Sequence, residues 1–110
     1  MEKMPALAEI YLEASTAASK AADELIAANP NTWYPCGFAW VRIKPARGKF
    51  VSWLKEQKIG RTDDYLGGYI IHNPSGNSTQ WMYAKEEGAS AFVEVLRKYG
   101  INAKCETRID

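Results

Sequence analysis

Seven residues recur in the same order in two parts of the chain. Trp40, Lys44, Gly48, Phe50, Val51, Leu54 and Gly60 are followed, 40 to 42 positions later, by Trp81, Lys85, Gly88, Phe92, Val93, Leu96 and Gly100. Each set reads as a strand that runs into a helix and ends on glycine. Two such halves within 110 residues predict one domain, 1–110, with an internal pseudo-twofold.

The segments around the echo can be read one by one. Residues 37–44 (GFAWVRIK) alternate: Ala39, Val41 and Ile43 face one side, and Phe38, Trp40, Arg42 and Lys44 the other. That period predicts a strand. Pro45 opens an expected helix over about 46–58, with Phe50, Val51 and Leu54 inward and Gly60 as its stop. Residues 66–72 and 79–84 read as strands joined by the turn-rich loop 73–78. A helix is expected over about 86–99, with Glu86 and Glu87 at its positive end and Arg97 and Lys98 at its negative end. Residues 101–108 alternate again as a last strand. The order β-α-β-β-α-β over 37–108 predicts an α+β, ferredoxin-like sandwich.

A long helix precedes it, within residues 1–30. Nine alanines fall in 5–28, and alanine is the best helix former. Leu7, Tyr11, Ala14, Ala18, Ala21 and Leu25 form one narrow stripe, whose small residues allow close approach to a partner. Asn29-Pro30-Asn31 stops the helix.

Charge is uneven. The net +1 is an average over −3 in residues 1–30, +6 in 31–61 and −2 in 62–110. No global field points to nucleic acid or membrane. No apolar run approaches the roughly 20 residues of a membrane span, and the start lacks a signal-peptide pattern. A cytoplasmic setting with no membrane partner is expected. Cys36 and Cys105 form no metal-binding spacing with the lone His72. Two reduced thiols, no metal and no cofactor are expected.

Three places hold chemistry. In the expected topology the helix start at 46 and the loop 73–78 share one end of the sheet. That end gathers Lys44, Arg47 and Lys49 with Asn73, Ser75, Asn77, Ser78 and Thr79. Helix-start amides, cations and a Ser/Asn loop make a site for a small anion such as a nucleotide. The plainer reading is an exposed turn with solvated lysines. The second place gathers Arg61, Asp63, Asp64 and Tyr65, where Asp63 reads as a turn former with Arg61 as its surface partner. His72 is expected to be a sheet histidine, and no catalytic constellation can be assembled, so an enzyme is not expected.

The third place is the aromatic strand. Cys36 to Ile43 resembles the RNA-recognition-motif octapeptide. Gly37, Phe38, Ala39 and Val41 agree and Trp40 is an aromatic replacement, whereas Cys36 and Ile43 depart. In that family the octapeptide lies on the third strand; here it lies on the first. The resemblance implies single-stranded nucleic acid stacking on Phe38 and Trp40, with Arg42 and Lys104 on phosphates. Against this, the N-terminal helix needs a surface for its stripe. The aromatic face is the expected one, burying Phe38, Trp40, Trp81 and Tyr83 as a second small core. A protein-interaction module or homodimer, joined by the helix or by an exposed sheet, is a further alternative.

The stretches GFAWVRIKPARGKFVSWLK (37–55) and GGYIIHNPSGNSTQWMYAKEEGA (67–89) resemble small uncharacterised proteins of tailed bacteriophages. The likeness spans residues 33–110. It implies a host-cytoplasmic accessory role and brings no active-site residues with it.

Overall fold

A computed structural model describes residues 6–29, 36–76 and 81–109. In chain order the elements are α1 (Leu7–Ala28), β1 (Gly37–Ile43), α2 (Lys49–Glu56), β2 (Arg61–Thr62), β3 (Tyr69–His72), α3 (Met82–Lys98) and β4 (Ala103–Ile109). The architecture is α+β: a long N-terminal helix and one four-stranded sheet of order β2-β3-β1-β4. Every strand pair is antiparallel.

Strand β1 is central, paired with β3 on one side and β4 on the other. Ala39, Val41 and Ile43 are buried against the helices, as the alternation predicts. Helix α2 starts later than expected, after Gly48, whose φ of 108° only glycine adopts readily. Its Phe50, Val51 and Leu54 are buried, and so are the echoed Phe92, Val93 and Leu96 of α3. The helical half of the echo therefore occupies matching core positions.

The strand half does not. Trp40 is on β1, but Trp81 is the residue before α3. The expected strand over 79–84 is not formed at its described residues: Trp81 makes one isolated bridge to Cys36, and α3 begins at Met82. Residues 79 and 80 lie outside the described residues. Met82, Lys85, Ala89, Phe92 and Leu96 are buried at helical steps of three and four. That period extends four residues upstream of the expected start at 86. Six residues were too few to separate the two periods. The hairpin instead joins β2 to β3 across residues 63–68, and the strand expected over 66–72 shortens to Tyr69–His72.

The helices pack on one face of the sheet. Ile10, Ala14 and Ala18 of α1 share a core with Val41, Leu54, Ile71, Phe92, Leu96 and Ala103. Helix α1 lies against α3. Tyr11 meets Phe92 edge-on with ring centroids 5.8 Å apart, and Tyr99 donates to Glu13 at 2.6 Å. The buried row is Ile10, Ala14, Ala18 and Ala22, so the expected stripe holds at its centre and rotates at both ends. A Cβ added to Gly88 would lie 3.1 Å from the Ala18 carbonyl, which measures how closely the two helices cross. The expectation that α1 covers Phe38 and Trp40 is therefore overturned. Small residues on α1 meet small residues on α3, and among the described residues no helix covers the aromatic face.

Candidate functional site

The open face follows from the register. Arg108 on β4 stands opposite Phe38 on β1. One step on, Glu106, Trp40 and His72 align across three strands. One step further, Lys104, Arg42, Ile70 and Arg61 align across all four. These residues share a face because side chains alternate with period two. Above them is a cavity of about 410 Å³, lined by Phe38, Trp40, Arg42, Arg61, Asp63, Leu66, Ile70, His72 and Arg108.

A buried ion network forms the floor. Arg42 is 3% exposed. Its Nη1 donates to Asp63 Oδ2 at 2.8 Å and to the Gly67 carbonyl, and its Nε donates to Glu106 Oε1 at 2.9 Å. The same Glu106 oxygen accepts Trp40 Nε1 at 2.7 Å, while Lys104 approaches the other oxygen at 3.2 Å. Trp40 is thereby fixed in orientation by the carboxylate that also holds Arg42.

Ionisation follows these contacts. Arg42, helped by the Leu66 and Tyr65 amides, holds Asp63 down to about 2. Burial pushes Glu106 up, but its bonds from Arg42, Trp40 and Lys104 outweigh that and hold it below the ordinary value. His72 is lowered by burial and by neighbouring Arg61, which favours its neutral form. It lies 5.6 Å from Trp40 between ring centroids, tilted by 45°.

Arg61 and Arg108 are exposed and make no salt bridge among the described residues. The Arg108 guanidinium lies 5.6 Å from the Phe38 ring centroid. Lys85 lies 5.3 Å from the same ring, buried, with Nζ donating to the Gly37 carbonyl at 2.9 Å. Two cations thus flank Phe38, which lines the cavity together with Trp40, His72 and Ile70. Among the described residues the strand positions of this face carry four cations (Arg42, Arg61, Lys104, Arg108), with the carboxylates Asp63 and Glu106 bonded to Arg42.

The structure does not bring together the anion site expected from the sequence. Lys44, Arg47 and Lys49 are exposed around a cavity of about 260 Å³ beside Asn102. Asn73 lies at the other end of β1, its amide donating to the Ala39 carbonyl at 2.9 Å. Five residues of strand separate Ala39 from Lys44, about 17 Å. The cause is direction: β3 runs antiparallel to β1, with Tyr69 opposite Ile43 and His72 opposite Trp40. Ser75 is buried, and its carbonyl accepts Ser19 Oγ of α1 at 2.8 Å. Asn77, Ser78 and Thr79 lie outside the described residues.

Phe38, Trp40 and Arg42 do share one face, with Lys104 beside Arg42 but paired to Glu106. Asp63 is a turn former as expected, accepting the Tyr65 and Leu66 amides at 2.9 and 3.1 Å, yet its ionic partner is Arg42 and not Arg61. Nothing local in the sequence places Arg61, Ile70, His72 and Arg108 around Trp40. Those four come from three strands whose register no local pattern specifies.

Cys36 is exposed, and burial pushes the Cys105 thiol up. Among the described residues no His, Cys, Asp and Glu cluster is arranged to hold a metal, and no helix is long and apolar enough to cross a membrane. The chain has no significant match to a protein-family model, to a curated protein or to a solved structure.

Proposed function

We propose that this chain is a non-enzymatic binding protein whose open sheet face takes single-stranded nucleic acid. One observation carries the reading: the helices pack on one face, leaving Trp40, His72 and Ile70 under a cavity flanked by Arg61 and Arg108. A base stacks on Trp40, which Glu106 holds in place, and the flanking guanidiniums take phosphates. A mononucleotide is the smallest version of the same ligand, and this proposal moves the small-anion site from Lys44, Arg47 and Lys49 to Arg61 and Arg108. A ferredoxin-like core is part of the proposal; the element order after α1 and the neighbours of β1, β3 on one side and β4 on the other, support it. The likeness to phage proteins supports an accessory role in a host cytoplasm.

The test is titration with unstructured oligonucleotides, read by tryptophan fluorescence. Quenching is expected in the parent. Affinity falls with salt, with a log–log slope of about −1.4 if Arg61 and Arg108 each neutralise one phosphate. Trp40→Ala weakens binding by about 1–3 kcal/mol. Fluorescence that stays constant at low salt refutes the proposal.

A further inference from the structure

The β2–β3 loop places its two largest side chains in solvent. Tyr65 is 92% exposed and Leu66 62%. Single exposed apolar residues are ordinary and need no account. This pair differs because its backbone is fixed. Asp63 Oδ1 accepts both of their amides, at 2.9 and 3.1 Å. The Gly67 amide donates to the Asp63 carbonyl at 3.0 Å, and the Asp63 amide to the Gly68 carbonyl at 2.9 Å. Arg42 reaches up from the sheet to Asp63 and to the Gly67 carbonyl. Gly67 and Gly68, with φ of 83° and 84°, turn the chain back into β3. A loop so fully bonded has lost its backbone entropy, and burial of Tyr65 offsets none of that loss.

The loop is also continuous with the binding face. Leu66 lines the same cavity as Trp40 and Ile70, and Arg61 stands at the loop's base. We infer that residues 63–67 are a pre-set arm of the binding face, with Tyr65 stacking on a base that has passed Trp40 and Leu66. The inference rests on the nucleic-acid reading above. The occupant is a single strand, not an apolar peptide, because the cavity closed by Leu66 is flanked by the exposed Arg61 and Arg108. A surface that holds both rings and exposed guanidiniums suits a ligand of bases and phosphates. Pre-ordering the arm removes an entropic penalty from binding.

The experiment compares an oligonucleotide of about ten bases with a dinucleotide. Tyr65→Ala should weaken the longer ligand about tenfold and leave the dinucleotide unchanged. Tyr65→Phe should bind as the parent does, because the ring and not the hydroxyl stacks. Thermal midpoints of both variants should match the parent, since Tyr65 touches no core. If Tyr65→Ala binds both ligands like the parent while Trp40→Ala loses both, the arm is overturned and the face stands. If the parent binds neither ligand, the face is overturned and the arm with it. Binding to anionic phospholipid vesicles that Tyr65→Ala abolishes, with oligonucleotide binding intact, overturns the arm in favour of a lipid surface.

Discussion

Replacing Gly88 by alanine tests which face of the sheet α1 occupies. Gly88 is buried within α3, and two effects of opposite sign compete there. Helix propensity alone favours alanine over glycine by about 1 kcal/mol. Against that, the new Cβ would lie 2.8 Å from Ser75 Cβ and 3.1 Å from the Ala18 carbonyl oxygen. Carbon atoms in good contact are about 3.5–4.0 Å apart, so the overlap with Ser75 is about 0.7 Å. Neither neighbour yields easily. Ala18 offers backbone, and Ser75 is tied to α1 by the 2.8 Å bond from Ser19. Overpacking of this kind costs about 2–3 kcal/mol. The net expectation is a loss of about 1–2 kcal/mol, or a fall in thermal midpoint of about 5–10 °C for a domain of this size. Calorimetry and urea unfolding give both values. Adding Ser75→Gly removes the worse contact, so the double variant should be more stable than the two single losses add up to. Were α1 laid on the aromatic face instead, Gly88 would have no helix above it. Gly88→Ala would then stabilise. A raised midpoint for the single variant refutes the observed packing and, with it, the open face.

Gly37→Ala, in β1, gains at most about 1 kcal/mol from reduced backbone freedom. Its Cβ would meet the Arg108 carbonyl at 2.7 Å and Met82 at 2.8–2.9 Å, so a loss of about 2–3 kcal/mol in urea unfolding is expected. Asp63 ionises at about 2 in the fold against an ordinary 3.8. A depressed carboxyl stabilises fully above the unfolded value and loses that contribution as pH falls through the folded one. The urea midpoint of the parent should therefore drop between about pH 4 and pH 2 more steeply than that of Asp63→Asn.

Much of the architecture was legible because it rests on local periods. The helix over 5–28, the strand over 37–44, the triplets Phe50-Val51-Leu54 and Phe92-Val93-Leu96, and the strand over 101–108 all repeat at the spacing of the structure they form. Residues 79–84 misled because TQWMYA, six residues holding two aromatics after a turn-rich loop, is shorter than two helical turns and shows no clear period. That one misreading moved the hairpin from 63–68 to 73–78 and reversed the direction of the strand ending at His72. Every inference about which loops share an end of the sheet reversed with it. Site residues brought together by strand direction, such as Lys44 and Ser75, were lost. Those brought together by alternation within one strand, Phe38, Trp40 and Arg42, were kept.

The placement of α1 turns on size matching. A helix that presents Ala14, Ala18 and Ala22 has little side chain with which to fill the space around two large rings. Laid on Phe38 and Trp40 it would also bury Arg61 and Arg108, whose charges find no carboxylate among the described residues. Against α3 the same alanines meet Gly88 and its neighbours at close range, and the larger Ile10 and Tyr11 at the other end reach the shared core and Phe92. Burying small against small brings the backbones together and gains contact without cavities. The sheet face that α1 leaves uncovered is stabilised by different means. Arg42 is compensated by Asp63 and Glu106, and Trp40 gives its indole hydrogen to Glu106. The buried polar groups of that face are thus paired, while Phe38 and Leu66 stay exposed and Arg61 and Arg108 make no salt bridge among the described residues, so it stands by its ion network and not by a covering helix.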